Sequence, residues 1–131
     1  MNSRYNILII EDQDIQAELL KAMIEERGGD MFHVDTVPDM HTAKIMLMNG
    51  FYGAVSLDLN LPDSRGARTY KSIRELTSAN IVIFSGAENE IRATRKVLEN
   101  GDTIVEKPNG PEAVDQLVNQ VMFGAVNGAA G

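Results

Sequence analysis

Cysteine is absent from the 131 residues, which removes disulfides, thiolate nucleophiles and thiolate metal cages and fits a reducing compartment. Histidine is nearly absent too. His33 and His41 stand apart from any acidic cluster, so with cysteine gone no zinc cage can be assembled. No apolar run approaches the roughly 20 residues that a bilayer-spanning helix needs. The start Met1-Asn-Ser-Arg-Tyr5 lacks the basic stretch and apolar core of a secretory signal. The expectation is a cytoplasmic protein with no membrane association. Positive charge is also in deficit, with 12 Lys and Arg against 19 Asp and Glu and a net charge of −7. The basic residues are scattered rather than gathered in a stripe, so direct nucleic-acid binding is not expected. Internal repeats and low-complexity blocks are missing as well.

What remains is an ordinary globular composition, 44% hydrophobic and 24% charged, long enough for one real core and too short for two domains. Strand-like and helix-like segments alternate along it, the pattern of a parallel sheet covered by helices on both faces. Ile7 to Ile10, Ala54 to Leu59 and Ile81 to Phe84 are nearly unbroken apolar runs, as central strands buried on both faces require. Phe32 to Val37 instead alternates, with Phe32, Val34 and Thr36 on one side and His33 and Asp35 on the other, which predicts an edge strand.

Between the strands, Ile15, Leu19 and Met23 with Leu20 and Ile24 form a helical stripe, with Asp14 as its N-cap and Gly28-Gly29 as its stop. Met40, Ala43 and Leu47 predict a second helix, and Tyr70, Ile73 and Leu76 a third. A fourth, Glu88 to Asn100, has only Ile91, Val97 and Leu98 as large apolar residues and is expected to be thinly anchored. The fifth starts near Pro111 and carries Val114, Leu117, Val118, Val121 and Met122 at helical spacing. Residues 1–123 are thus read as the domain, and 124–131, small and nearly neutral, as a flexible tail or linker stub.

Four of the strand-like runs end in polar groups: Glu11-Asp12, Asp58, Ser85 and Lys107. Parallel strands that end at one sheet edge would gather three carboxylates, a hydroxyl and an ammonium where open α/β sheets place their sites. Crowded carboxylates repel, and a cation removes that penalty. Magnesium suits such a pocket because it favours oxygen ligands and accepts one or two carboxylates together with phosphoryl oxygens. If one carboxylate attacks phosphorus in line, the metal and a lysine neutralise the equatorial oxygens while a hydroxyl donates a hydrogen bond. Asp58, Asp12 with magnesium, Lys107 and Ser85 fit those roles. Taken singly, each is an ordinary strand-end, cap or surface residue. The Met residues on helical faces read as core filler, and Arg92, Arg95 and Lys96 among acids as a solvated face.

In this arrangement, with Ser56-Leu-Asp-Leu-Asn-Leu-Pro-Asp63, Ser85-Gly86 and Lys107-Pro108, the sequence resembles the receiver domain of two-component response regulators (the CheY-like superfamily) from about Tyr5 to Phe123. The resemblance implies a flavodoxin-like (βα)5 sandwich with a parallel five-stranded sheet of order 2-1-3-4-5. It further implies Asp58 as phosphoacceptor, Asp12 as a direct magnesium ligand, Glu11 as an outer-shell acid and Asn60 as a ligand through its backbone carbonyl. Ser85 and Lys107 would contact the phosphoryl group, and Lys107-Pro108 is often cis in the family. Pro62, Asp63 and Gly66 look like the turn after the phosphorylation site.

The implied function is a signalling switch rather than a turnover enzyme. It would take a phosphoryl group from a histidine kinase or histidine phosphotransfer protein and pass the signal to an effector. A phosphorylation-linked dimer through the fourth and fifth helices is a family expectation. Two features depart from the family pattern. Ile104 stands three residues before the lysine, where an aromatic ring is common, and the stretch from Gly101 to Lys107 is a residue short, with Asp102 in place of a small residue. They suit the alternative reading, a receiver-like scaffold that binds partners without phosphorylation. A flavin or nucleotide protein is disfavoured because Glu11-Asp-Gln-Asp14 is acidic where a glycine-rich cradle would be needed. A metal phosphatase is disfavoured because Asp58-Leu-Asn60 lacks a second acid.

Overall fold

The computed structural model describes residues 4–107 and 110–130. Five strands, β1 (Tyr5–Ile10), β2 (Phe32–Val37), β3 (Ala54–Leu57), β4 (Asn80–Ser85) and β5 (Thr103–Glu106), form one parallel sheet. Its order is β2-β1-β3-β4-β5, the order expected. Helices α1 (Asp14–Gly28), α2 (Met40–Asn49), α3 (Ala67–Leu76), α4 (Glu88–Arg95) and α5 (Pro111–Ala130) supply the crossovers and the last layer.

Strand periodicity divides the core in two. Side chains alternate across a strand, so Ile7 and Ile9 face a layer built with Leu20 and Ile24 of α1 and Leu117, Val118 and Val121 of α5. Leu8 and Ile10 face the opposite layer with Ala43 and Leu47 of α2 and Tyr70 and Ile73 of α3. Each of the fully buried Ile and Leu side chains contributes about 1.5–3 kcal/mol relative to exposure, and central strands need them on both faces. β2 pairs only with β1 and is the edge strand that its alternation predicts. Its final turn of the pattern differs, since Thr36 is exposed and Val37 is buried.

Four further details differ from the sequence expectation. Gln13, not Asp14, is the N-cap of α1, and Asp14 lies in its first turn, where a carboxylate still favours the helix dipole. The α1 stripe keeps Leu20 and Ile24, buried as expected, but adds Ala17 in place of Ile15 and Leu19, which are 85% and 46% exposed. Both sets have helical spacing, and only docking on the sheet selects between them. α4 stops at Arg95 because the chain beyond it is drawn away: the Glu99 amide donates to the Tyr70 hydroxyl at 2.9 Å. Finally, 124–131 is not a tail over its described residues. α5 continues to Ala130, with Gly124 and Ala125 buried. The small residues that read as a loose segment are what allows close approach, since a Cβ on Gly53 would lie 2.5 Å from the Ala125 carbonyl oxygen.

Most side-chain bonds between elements lie at the amino edge of the sheet. Buried Asp102 accepts from both the Tyr70 hydroxyl and Arg74 and also from the Ile81 amide, at 2.5, 2.8 and 2.9 Å. Arg74 also donates to the Thr77 and Ala79 carbonyls. Nearby, the Asn80 side chain donates to the Gly124 carbonyl at 2.8 Å.

Candidate functional site

The opposite, carboxyl edge of the sheet holds a cleft of about 340 Å3 lined by Asp12, Gln13, Asp58, Asn60, Ser85, Gly86, Ala87 and Lys107. Strands β1, β3 and β4 deliver their groups by the same local device. Glu11 follows β1 and accepts from the Gln13 amide at 3.3 Å. Asp58 follows β3 and accepts from the Asn60 amide at 2.9 Å, and Ser85 ends β4 and accepts from the Ala87 amide at 3.3 Å. In each case a side-chain oxygen closes on the backbone N–H two residues on, which turns the chain out of the sheet and holds the oxygen at its rim.

Lys107 crosses the cleft. Its Nζ lies 3.2 Å from Asp58 Oδ2 and 3.8 Å from Glu11 Oε1. The carboxylates of Glu11, Asp12 and Asp58 each offer an oxygen within 4.8 Å of the others. Glu11 and Asp58 are buried, and burial, reinforced by the neighbouring Asp58, pushes the Glu11 carboxyl up to about 8. One ammonium serves three carboxyl groups, so the cluster is short of positive charge. Hard oxygen donors at this spacing fit a magnesium ion.

Every residue singled out from sequence, Glu11, Asp12, Asp58, Asn60, Ser85 and Lys107, is thus brought to this edge. The Lys107–Pro108 peptide bond lies outside the described residues. Gly86 belongs to the Ser85-Gly86 motif, whereas Gln13 and Ala87 were not expected; they line the cleft because each lies within two residues of a strand-end oxygen. Asp63, expected only as part of a turn, accepts from the Met40 and His41 amides at 2.8 and 3.0 Å. That carboxylate ties the hairpin of Asn60–Leu61 and Ser64–Arg65 to the first turn of α2. Gly66, with φ at 71°, then turns the chain into α3 in a conformation that only glycine adopts without strain.

The model of the response regulator receiver domain matches residues 7–119. The chain belongs to the response regulator receiver domain family. Among curated relatives, this receiver is 27% identical over 122 residues to the aerobic respiration control protein ArcA of Escherichia coli K12. The match takes in 93% of the chain and 50% of ArcA. The chain spans about half or less of the length of the curated relatives it matches. Among solved structures, a CheY-like receiver domain from Methylobacillus flagellatus superposes with a TM-score of 0.72 at 28% identity, over 91% of this chain and 99% of that one. A sensor protein from Polaromonas sp. JS666 gives 0.75 at 28% identity, over 96% and 99%. The receiver is a signalling domain, and no helix among its described residues is long and apolar enough to cross a membrane.

Proposed function

We propose that this receiver is a phosphorylation-dependent switch with Asp58 as phosphoacceptor. The observation that carries the reading is the placement of Asp58 Oδ2 at 3.2 Å from Lys107 Nζ, in a cleft also lined by Asp12 and Ser85. An Asp58 oxygen attacks the phosphorus of a phosphohistidine on a histidine kinase or histidine phosphotransfer protein. The new O–P bond forms as the P–N bond breaks, and the electron pair stays with the imidazole. Lys107 then neutralises a phosphoryl oxygen, and the Ser85 hydroxyl turns from its local amide to donate to another. Asp12, Asp58 and the Asn60 carbonyl would hold magnesium, with Glu11 behind them. Bound magnesium would supply the remaining charge neutralisation on the phosphoryl oxygens.

The donor would dock beside the cleft on α1, where Ile15 and Leu19 present apolar surface to solvent next to Gln13 and Asp12. The output is binding to an effector protein. Movement of Ser85 and the Gly86-Ala87 loop would bias α4, whose described core contacts are Ile91 and Thr94, and with it the face of α4, β5 and α5.

Incubation with magnesium and acetyl phosphate, followed by intact mass beside Asp58→Asn, tests the reading. A single phosphoryl adduct that needs magnesium and is absent from the variant is expected. A second reading, a scaffold that binds partners without phosphorylation, is favoured by Ile104. It packs against the α2–α3 side of the core where the family often has a mobile aromatic ring. Lack of any adduct, with partner capture equal for wild type and Asp58→Asn, would establish the scaffold instead.

A further inference from the structure

Lys107 is held by more than its carboxylate partners. Phe84 lies on β4 immediately before Ser85 and is only 4% exposed, in the layer facing α1 and α5. The Lys107 Nζ sits over its ring, 5.2 Å from the centroid, within the range at which the negative face of the ring attracts a cation. On another side the lysine stem runs along Gly86. A Cβ built there would lie 3.4 Å from Lys107 Cβ and 3.7 Å from its Cδ, ordinary contact distances that place the stem against the Gly86 backbone. The ammonium therefore sits where an aromatic face, the Asp58 carboxylate and the Glu11 carboxylate meet.

We infer that Phe84 is a positioning residue for phosphotransfer, holding the Lys107 ammonium at the phosphoacceptor through a cation–π contact. The inference rests on the reading of Asp58 as phosphoacceptor. A lysine on a four-carbon stem has many rotamers, and its side chain here keeps one-third exposure, so solvent competes for the ammonium. Asp58 alone offers no lasting hold, because once phosphorylated its charge and shape change. The ring does not change during the reaction. It favours the same position of the ammonium before and after transfer, which is what a preorganised charge-stabilising group requires.

The competing view is that Phe84 only fills the core. Site-specific replacement of Phe84 by mono-, di- and trifluorinated phenylalanine separates the two, because fluorine nearly preserves shape while draining the negative face of the ring. The rate of phosphoryl adduct formation from acetyl phosphate and magnesium is expected to fall stepwise with fluorine count, by about fivefold across the series, at constant Tm. Phe84→Leu is expected to slow the reaction. In NMR spectra the Lys107 ε-methylene protons are expected to show an upfield ring-current shift that Phe84→Leu abolishes. A rate independent of fluorination in a wild type that does form the adduct would overturn the positioning role and leave the phosphoacceptor reading standing. Losses that follow a falling Tm, or an absent ring-current shift, would also overturn it. A wild type that forms no adduct would overturn both.

Discussion

At the residue scale, Glu11 has the most telling electrostatics. Its ordinary pKa of 4.5 rises to about 8 in the fold, first through burial and then through Asp58. The metal-free folded protein therefore retains a proton that the unfolded chain releases above its ordinary pKa. By linkage, the stabilisation from that proton is fully present below 4.5 and is lost as pH rises toward 8. On the proposed magnesium site the sign would reverse, since a cation held by Asp12 and Asp58 favours the ionised form of Glu11 behind them, and magnesium affinity should strengthen as pH climbs through the same window. Thermal melts across pH, with and without magnesium, check both trends. Glu11→Gln should flatten each of them. Asp102 has a different task. It accepts from Tyr70, Arg74 and the Ile81 amide, so Asp102→Ala leaves the Ile81 amide without its acceptor and removes the charge partner of Arg74, and should cost about 3 kcal/mol in urea unfolding. The chemistry of these residues was legible to different degrees. Glu11, Asp12, Asp58, Ser85 and Lys107 stood out because each terminates an apolar run. Asp102 looked only like an unusual loop residue, because its three partners lie 21 to 32 positions away in sequence.

At the scale of elements, α4 and α5 contrast. α4 is short, exposes most of its side chains and buries Ile91 and Thr94, whereas α5 buries Ala113, Leu117, Val118, Val121 and Ala125. Amide exchange should be fastest in α4 and slowest in α5 and the central strands. On phosphorylation, protection should change in α4 and β5 while β1 stays constant. Apolar content exposed this contrast in the sequence. The facing of α1 was legible in part: Leu20 and Ile24 belong to the stripe and are buried, whereas Ile15 and Leu19 share its spacing and are exposed, a choice that belongs to the sheet. The end of α4 was not legible, because a Tyr70 hydroxyl from another helix captures the Glu99 amide.

At the scale of the whole molecule, a parallel sheet and the common edge of the site follow from the alternation of elements, and the strand order from the resemblance to receivers. The extent of α5 does not, because glycine and alanine score as weak helix or loose chain until a neighbouring backbone is seen beside them. Truncation after Phe123 removes the Gly124 carbonyl that accepts from Asn80 and the buried Ala125, and it should lower Tm by several degrees. Gly53→Ala should be destabilising too, as its Cβ would meet the Ala125 backbone. The distribution of these braces has a mechanical consequence. The long-range side-chain clasps of Tyr70, Arg74, Asp102 and Asn80 lie at the amino edge, while the carboxyl edge holds short local turns, the Asp63 tie to α2 and the Lys107 crossing. Such a body behaves as a clamp riveted at its base. Strain introduced at the rim is passed into the helices rather than spread through the sheet, and displacement grows with distance from the rivets.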